Sequence, residues 1–570
     1  MRLFANHRTV SWTLPLTSAA FCWLIAPPNR LEWLVWMAFA PLFAWLVRGG
    51  ILGRQALVGA GMVGGSYYLA ISHPLLSLSW WGWGKATGYQ FEEFVWHQKL
   101  LVLLIIMSLS AWGGMLWALC GWLTKRYATT PLRAVWLIHS LWVLLIEFFG
   151  HQTIFGMGWG LLGVHLHGAP VLRQFASAAG VAGLSFLILL VNAALGLWAL
   201  EWRRMRALAA SVPVRIRPAL LSAVLVVAAC AAYGAVVLGT SASPSASSSP
   251  MKVAVLQGNV LESSLEDFTP EGLDQTYAPM LRDALASEAD IVVLPETVWL
   301  RTLQLDDSTS PWDSANQLVG REVMGRTLED MVAGRSSLII HGIDAVLRGQ
   351  VYNTMAFWTS RGLAGTYFKR SIVPFAEFTP RGFGWLSPQN QLHGNGFTYH
   401  AGRTPALVTY HDVPIGSFIC QEVMFADPIR ESVRAGAHLL VTTGNDGVFV
   451  NPAVAETLHA MAQLRAVEHQ RYLVRSMKTG VSSVIDPTGR VMALAPHDVR
   501  TVITATVVPS TSLSLYDRFG NWLVLLCGIL AALIVWRGRR RSGDAQTDRH
   551  DHEESLRGLQ APRAPTFRLN

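Results

Sequence analysis

Three polar side chains that could act together in catalysis follow apolar runs typical of buried strands. Glu296 ends the run VVLPE, Cys420 ends GSFIC, and Lys369 follows a hairpin strand in GTYFKR. Loops at the ends of strands can bring such side chains together. A thiol becomes a nucleophile at neutral pH when a base or a positive charge lies nearby. A carboxylate can accept the thiol proton, and an ammonium can stabilise the oxyanion formed when a thiolate attacks a carbonyl. The three residue types therefore point to nucleophilic chemistry at a carbonyl group.

Each of these residues also has an ordinary structural interpretation when it is taken alone. A glutamate after a strand is usually a solvated turn residue, a single lysine in a loop is usually a surface charge, and a buried cysteine is usually a small core residue. Cys420 differs from the other cysteines of the chain, which lie inside long apolar runs: Cys22, Cys120, Cys230 and Cys527. The combination of the three residue types favours a catalytic site, and an internal disulfide at Cys420 is not expected.

The composition indicates a membrane protein. Of the 570 residues, 51% are hydrophobic and only 14% are charged. A helix needs about 20 apolar residues to cross the roughly 30 Å hydrocarbon core of a bilayer. We predict eight such spans, at about residues 10–26, 31–48, 55–72, 97–123, 132–149, 171–200, 218–240 and 521–536.

Basic residues occupy every second connection between these predicted spans. Lys125 and Arg126, for example, lie between spans four and five, and Arg539 follows span eight. Connections rich in lysine and arginine remain in the cytoplasm by the positive-inside rule. Residues 242–520, between spans seven and eight, are therefore predicted to lie outside the cytoplasm. Because each basic cluster adjoins a span, nucleic-acid binding is not expected, although the net charge is +8.

The sequence changes character after a linker rich in Ser, Ala and Pro, GTSASPSASSSP, at residues 239–250. Beyond it, β-branched runs such as KVAVLQGNV alternate with helical patterns and hairpins, which predicts an α/β layered domain. The chain then divides into a membrane domain with about seven spans, an extracytoplasmic domain, a last span and a basic, disordered cytoplasmic tail, at residues 1–241, 242–520, 521–537 and 538–570.

Seven short segments together resemble the apolipoprotein N-acyltransferase family, within the nitrilase (carbon-nitrogen hydrolase) superfamily. They are VAVLQGN, VLPET, FKRSIVPFAEFTP, ICQEV, GNDGVF, HAMAQLRAVEHQRYLVRSMKTGVSSVIDPTGRV and SLYDRFGNW. The resemblance implies a polytopic α-helical membrane domain and an extracytoplasmic α/β nitrilase-like domain, an αββα sandwich. It agrees with the orientation predicted from charge, and places the protein in a bacterial inner membrane with its catalytic domain on the periplasmic side.

The resemblance also implies a two-step acyl transfer. Cys420 would attack an ester carbonyl of a membrane phospholipid to give a thioester acyl-enzyme. The amine of a diacylglyceryl-cysteine at a lipoprotein N-terminus would then take the acyl group. Glu296 would be the general base and Lys369 the stabiliser of the oxyanion. A thioester is reactive enough for an amine to displace, so no metal and no cofactor are expected.

Four further residues match positions that the family places near its site. Glu377 and Glu422 match acidic positions, although both could equally be hydrogen-bond acceptors that orient Lys369 or loop backbone. Asn445 matches the first residue of an Asn-Asp turn. Gln421 follows the nucleophile, where the family usually has tyrosine.

Departures from the family pattern leave a second hypothesis open. Gln421 replaces the usual tyrosine, and Val448 stands where the family often has tryptophan. Both changes remove apolar area that could hold an acyl chain. The alternative is a divergent membrane-anchored nitrilase-like amidase or acyltransferase with another amine or amide substrate, for example in conjugation or envelope assembly. A non-catalytic scaffold is disfavoured, because it would be expected to have lost at least one of Glu296, Lys369 and Cys420.

Overall fold

A computed structural model of the chain describes most of its length. The described residues are 11–27, 31–77, 91–148, 158–208, 213, 216–240, 249–261, 269–299, 302–306, 336–374, 377–378, 381–382, 398–449 and 451–559. Most of the predicted linker and the last eleven residues of the predicted tail lie outside them.

The helices of the membrane part precede the first strand, except for the last one. They are α1 (Thr13–Ile25), α2 (Ala40–Val47), α3 (Gly53–Ser72), α4 (Phe91–Tyr127), α5 (Pro131–Trp142), α6 (Pro170–Arg173), α7 (Ala176–Leu208) and α8 (Arg217–Thr240). The later helices are α9 (Pro270–Ala286), α10 (Ala426–Arg434), α11 (Pro452–His469), α12 (Leu515–Phe519) and α13 (Trp522–Leu559).

Five helices within the described residues are long and apolar enough to cross a membrane. They are Lys99–Tyr127, Pro131–Phe148, Ala176–Trp202, Arg217–Thr240 and Trp522–Arg540. The first predicted span is a helix of only 13 residues, and the second is divided between a 3₁₀ turn at Glu32–Trp36 and α2. The third, α3, has 20 residues. The total of eight spans therefore stays a prediction.

The structure describes the predicted tail as far as Leu559, as a continuation of helix α13. A helix that has already formed extends at little cost, because nucleation is the unfavourable step. The tail sequence has no proline before Pro562. The predicted disorder of the tail stays a prediction.

The catalytic part contains thirteen strands within the described residues. They are β1 (Met251–Gln257), β2 (Ile291–Val293), β3 (Thr302–Gln304), β4 (Leu338–Leu347), β5 (Gln350–Thr359), β6 (Gly362–Phe368), β7 (Val408–Tyr410), β8 (Val413–Ile419), β9 (Leu439–Gly444), β10 (Leu473–Met477), β11 (Ser482–Ile485), β12 (Val491–Ala495) and β13 (Thr501–Val507).

The strands form two mixed sheets. The seven-stranded sheet has the order β13-β1-β2-β4-β5-β6, with β3 beside β4, and the six-stranded sheet has the order β12-β11-β10-β9-β8-β7. The strands β1, β2 and β4 are parallel, as are β8, β9 and β10. Parallel neighbours align their carboxyl ends at one edge, and in each sheet this edge carries predicted site residues.

The two sheets stack face to face and are covered by helices on their outer faces. Apolar side chains from both sheets, such as Val255 and Val441, share one core between them. On the outer face of the seven-stranded sheet, Tyr277 and Leu281 of α9 pack against Val292. The predicted αββα sandwich is therefore confirmed.

The outer face of the six-stranded sheet packs toward the membrane helices. Leu440 and Leu473 of this sheet, Leu458 of α11 and Leu187 of α7 belong to one continuous apolar core. Helix α11 lies between the sheet and the membrane part. The sheet domain and the membrane helices therefore pack against each other through a common apolar core, in addition to being connected along the chain.

Candidate active site

Cys420 lies at the end of β8, where the chain turns sharply into a 3₁₀ helix at Cys420–Met424. Its backbone has a φ of +54°, a left-handed conformation that side chains other than glycine rarely adopt. Gly444, at the end of β9, makes the turn possible, because a Cβ there would lie 3.1 Å from the Cα of Cys420. Strain of this kind is typical of functional sites and lifts the side chain away from the sheet.

Glu296 follows β2 by three residues and is only 8% exposed. The backbone at this point runs against β4. A Cβ on Gly342 would approach the Cα of Glu296 to 2.5 Å, so a glycine is required at that position of β4. The amide of Gly342 donates a hydrogen bond to the carbonyl of Pro295 at 2.9 Å. These contacts fix the carboxylate of Glu296 above the edge of the sheet.

Lys369 follows β6 and is 1% exposed. Its ammonium Nζ lies 2.7 Å from Oε1 of Glu377 and 3.8 Å from Oε1 of Glu296. Burial alone would lower the pKa of Lys369, but the negative charges of Glu377, Glu296 and the Cys420 thiolate outweigh it, so the net pKa lies above the ordinary value. Lys369 is therefore a permanent cation between two carboxylates.

Asn353 of β5 links the two carboxylates and was not identified from the sequence. Its Nδ2 donates to Oε1 of Glu296 at 2.7 Å and to Oε1 of Glu377 at 3.1 Å. Its carbonyl accepts a hydrogen bond from the amide of Lys369 at 2.9 Å. One residue thereby holds three of the predicted site residues. The sequence signal was weak, because a single asparagine in the apolar run YNTMAFW has many ordinary explanations.

The thiol of Cys420 lies in the electric field of these charges. Burial raises its pKa, and the negative charge of Glu296 raises it further, while the ammonium of Lys369 and a hydrogen bond from the Asn445 backbone lower it. The net pKa lies above the ordinary value. The resting cysteine is therefore a neutral thiol, and its attack on a carbonyl requires a base that takes the proton as the new bond forms.

Glu422 is fully buried and accepts hydrogen bonds from two loops at once. Its Oε1 accepts from the amides of Arg370 and Ser371 at 2.7 and 2.8 Å. Its Oε2 accepts from the amide of Ile419 at 2.7 Å and from the hydroxyl of Tyr367 at 2.9 Å. Burial raises the pKa of Glu422, and the backbone donors partly offset this rise. Glu422 ties the loop after Lys369 to the turn that carries Cys420.

The remaining predicted residues have separate surroundings. Nε2 of Gln421, a half-buried side chain, donates to the carbonyl of Ser371 at 3.1 Å. The side chain of Asn445 accepts from the amide of Gly447 at 3.1 Å and thus caps a short 3₁₀ turn. Neighbouring Asp446 forms a buried ion pair with Arg475 at 2.7 Å. These bonds explain the Asn-Asp turn structurally.

A further carboxyl, which is half-buried, lies behind the site. Asp344 of β4 is directly opposite Asn353 of β5 in the sheet and accepts a hydrogen bond from the hydroxyl of Tyr399 at 3.0 Å. Burial raises the pKa of Asp344 to about 7, helped by the negative charges of Glu296 and Glu377. The sequence analysis did not single out Asp344 or Tyr399.

The part of the chain that the structure describes contains no group of three or more His, Cys, Asp or Glu side chains that could hold a metal ion.

The fold and the site define the class of protein. Residues 252–515 match the family model described as carbon-nitrogen hydrolase. The matched range contains Glu296, Lys369 and Cys420 and nearly all of the two stacked sheets.

The comparisons also cover the membrane part. Residues 18–194 match the model described as the apolipoprotein N-acyltransferase N-terminal domain. An apolipoprotein N-acyltransferase of Gloeobacter violaceus is 30% identical over 91% of this chain and 92% of its own length. Relatives of the same name from Pseudomonas syringae pv. tomato and Geobacter metallireducens are 30% and 27% identical, covering 76% and 93% of this chain and 80% and 95% of their own. The chain belongs to the apolipoprotein N-acyltransferase family.

Proposed function

We propose that this protein moves an acyl chain from a membrane phospholipid to the N-terminal amine of a diacylglyceryl-cysteine on apolipoproteins, through a thioester on Cys420. The observation that carries the proposal is the buried Lys369 ammonium, held between Glu296 and Glu377 in the field of the Cys420 thiol. Similarity to acyltransferases along almost the whole chain supports the choice of reaction.

The first step forms the acyl-enzyme. Glu296 takes the proton of the Cys420 thiol while the sulfur attacks the ester carbonyl, and Lys369 stabilises the negative charge on the carbonyl oxygen. The carbon–oxygen bond of the ester then breaks. The lysophospholipid alkoxide leaves with the proton that Glu296 had taken, so the site returns to its starting charge.

The second step transfers the acyl chain to nitrogen. The neutral amine of the acceptor attacks the thioester carbonyl, and Glu296 takes a proton from the nitrogen as the amide bond forms. The carbon–sulfur bond breaks, and the Cys420 sulfur recovers a proton from Glu296. Glu377 orients Lys369 through the 2.7 Å contact throughout, and Glu422 positions the turn of Cys420.

Gln421 and Asn445 are proposed to border the substrate. Gln421 is adjacent to the nucleophile, and its amide is already held by the Ser371 carbonyl. Asn445 follows β9 beside the Cys420 turn. Gln421 also supports the alternative function, in which the acyl acceptor is a different amine or is water, because the acyltransferases that this chain resembles usually have tyrosine there.

The proposed location is a bacterial inner membrane with the catalytic domain in the periplasm. The domains proposed are a seven-span membrane domain (1–241), the periplasmic domain (242–520), a last span (521–537) and a cytoplasmic tail (538–570). A full-length chain without native cysteines, carrying only Leu363→Cys on an exposed position of β6, tests the orientation. An impermeant thiol reagent should label it in cells with a permeabilised outer membrane. Labelling only after lysis would reverse the orientation.

The reaction is tested with a phospholipid that carries a labelled acyl chain. Without an acceptor, hydroxylamine-labile label should appear on the wild-type protein and be absent from Cys420→Ser. Equal labelling of both proteins contradicts the thioester. Addition of a diacylglyceryl-cysteine peptide should then discharge the label onto the peptide. Release of free fatty acid with no acylated peptide would favour the alternative function.

A further inference from the structure

The edge strand β12 exposes large apolar side chains beside the membrane part. Met492 is 42% exposed and Leu494 is 50% exposed, and they alternate with the more buried Ala493 and Ala495. The side chain of Arg490, immediately before the strand, is 69% exposed, and its Nε lies 3.2 Å from Oδ2 of Asp486. Exposed apolar side chains that cluster on one strand usually mark a contact surface.

The register shows which face of the sheet carries Leu494. Leu494 is directly opposite Ser483 of β11, and directly opposite residues share a face. The hydroxyl of Ser483 bonds to His459 of α11 at 3.1 Å. Ile485, two residues further along β11, belongs to the core shared with the membrane helices. Leu494 therefore lies on the face of the sheet that is directed toward the membrane.

The turn before β12 gives the height of this strand above the membrane. The carbonyl of Thr488 accepts hydrogen bonds from Nε of Arg173 at 2.8 Å and Nε2 of Gln174 at 2.9 Å, at the end of α6. Helix α6 packs against α8 at Gly234, where a Cβ would lie 1.9 Å from the carbonyl oxygen of Val171.

Gly234 precedes the last residue of α8 by six residues, which at the helical rise is about 9 Å. The end of α8 is the end that leads into the catalytic domain. The turn at 486–490 is therefore bonded to α6 at a level below the end of α8, which we place at the membrane surface. The headgroup layer adds roughly 5 to 8 Å on that side, and β12 begins immediately after the turn.

We propose that the β12 edge, defined as Arg490, Met492 and Leu494, contacts the lipid headgroup layer. The catalytic domain would then contact the bilayer directly, in addition to its connections to the membrane helices. The apolar side chains enter the boundary between headgroups and acyl chains, and the guanidinium of Arg490 reaches lipid phosphates.

A lipid surface fits better than a second copy of the chain because the turn before β12 is bonded to Arg173 and Gln174 at the end of α6, beside the membrane helices. The short helix α12 also exposes Leu515 (44%) and Phe519 (66%) immediately before the span that begins at Trp522. The catalytic domain therefore exposes apolar side chains at two places close to the membrane part.

Site-directed spin labelling in lipid nanodiscs tests the proposal with the full-length chain. Single cysteines replace Met492 or Leu494 in a chain whose five native cysteines are changed to alanine. Phe519→Cys serves as the immersed reference, and Leu363→Cys, exposed on the other sheet, serves as the aqueous reference. The ratio of collision with oxygen to collision with a water-soluble nickel chelate should rise at 492 and 494 toward the value at 519.

Ratios at 492 and 494 equal to that at 363 would overturn the proposal. Dipolar broadening between labels at 494 would overturn it as well, because it would show that a second copy covers the strand. If the cysteine-free chain does not fold, a photo-crosslinking amino acid at 494 in the otherwise native chain gives the same decision. Adducts with phospholipid support the contact, and adducts with the lipoprotein acceptor or with a second copy instead contradict it.

Discussion

The charges around Lys369 bear on the protonation state of Cys420, the proposed nucleophile. Two carboxylates, Glu296 and Glu377, face one ammonium. Burial, and next the negative charge of Glu296, raise the pKa of the Cys420 thiol. Oxidants and disulfides react with thiolates rather than with thiols. We therefore expect Cys420 to resist oxidation until a carbonyl group reaches the site.

Glu422→Gln should lower both stability and acylation. The carboxylate of Glu422 accepts hydrogen bonds from backbone amides, and the –NH₂ group of glutamine cannot accept them. The –NH₂ group would face either the amides of Arg370 and Ser371, or the amide of Ile419 and the hydroxyl of Tyr367. Each unsatisfied buried donor costs about 1–3 kcal/mol. The check is thermal unfolding together with the yield of labelled acyl-enzyme. Glu271→Gln, exposed on the first turn of α9, is the control and should change neither. Unfolding and labelling as in the wild type would contradict the positioning role of Glu422.

Asp344 should make the free energy of unfolding depend on pH, over the range from the ordinary pKa of an aspartate to about pH 7. The folded protein binds the proton more tightly than the unfolded chain, so the stabilisation is fully present below pH 4 and is lost as the pH rises through 7. A rise of the pKa from its ordinary value to about 7 corresponds to a change of roughly 4 kcal/mol in the free energy of unfolding. Asp344→Asn should remove this part of the slope while Tyr399 keeps an acceptor.

Free energies of unfolding measured from pH 5 to pH 8 check the prediction. Asp283→Asn, an exposed carboxyl on α9, should leave the wild-type slope unchanged. Identical slopes for the wild type and Asp344→Asn would show that Asp344 is ionised throughout.

Side chains of helix α11 connect a break in the membrane helix α7 to the turn that begins at Cys420. Gly180, with a φ of +70°, interrupts α7, and the freed amide of Val181 donates to Glu468 at 2.6 Å. Glu468 pairs with Arg465, whose Nε donates to the carbonyl of Val423 at 2.9 Å. Val423 lies in the 3₁₀ helix that begins at Cys420. A continuous buried path thus runs from the membrane part to the nucleophile.

Glu468→Gln should destabilise the protein, because it leaves the buried guanidinium of Arg465 without a carboxylate. Breaking a buried pair at one partner costs about 3–5 kcal/mol. Thermal unfolding in detergent measures the effect, with Glu271→Gln on the exposed first turn of α9 as the control. A melting temperature equal to that of the control would mean that Arg465 is held by carbonyl groups alone.

Strands and their ends could be predicted from local sequence, and the contacts between them could not. The runs at β1, β2 and β8 are continuous apolar segments, so Glu296 and Cys420 fall at strand ends in the sequence as they do in the structure. Asn353 and Asp344 gain their importance only from the pairing of β4 with β5 beside Glu296. No local pattern contains that long-range proximity.

The breaks in the helices of the membrane part could not be predicted from hydropathy either. Apolar character predicted one span at 31–48, whereas the chain forms a 3₁₀ turn and then restarts as α2 with a proline in its first turn. Proline lacks the amide that a continuing helix would use. Mean hydropathy reports the solvent that a segment prefers and says little about where its helix breaks.

The whole molecule folds around a core that crosses from membrane helices to sheet. Met461 and Leu464 of α11 pack in the same apolar cluster as Leu187 and Leu190 of α7. Residues 249–514 expressed alone should therefore expose this surface and associate. Size-exclusion chromatography of the fragment in aqueous buffer should show aggregates, and in detergent a smaller species. A folded, monomeric fragment in buffer would show that α11 needs no membrane part.

The pairing of β1 with β13 joins the first and last strands of the catalytic domain. Met251 is opposite Val507 and Gln257 is opposite Thr501, in an antiparallel register. The first and last strands of the domain therefore lie side by side, with α8 preceding one and α12 and α13 following the other. A force that separates α8 from α13 would be carried first by the contacts of α12, such as the 2.7 Å pair of His469 with Asp517, and then by the Met251–Val507 pair. The lateral pressure of the bilayer, which holds the helices together, would thereby protect this pairing of strands from mechanical opening.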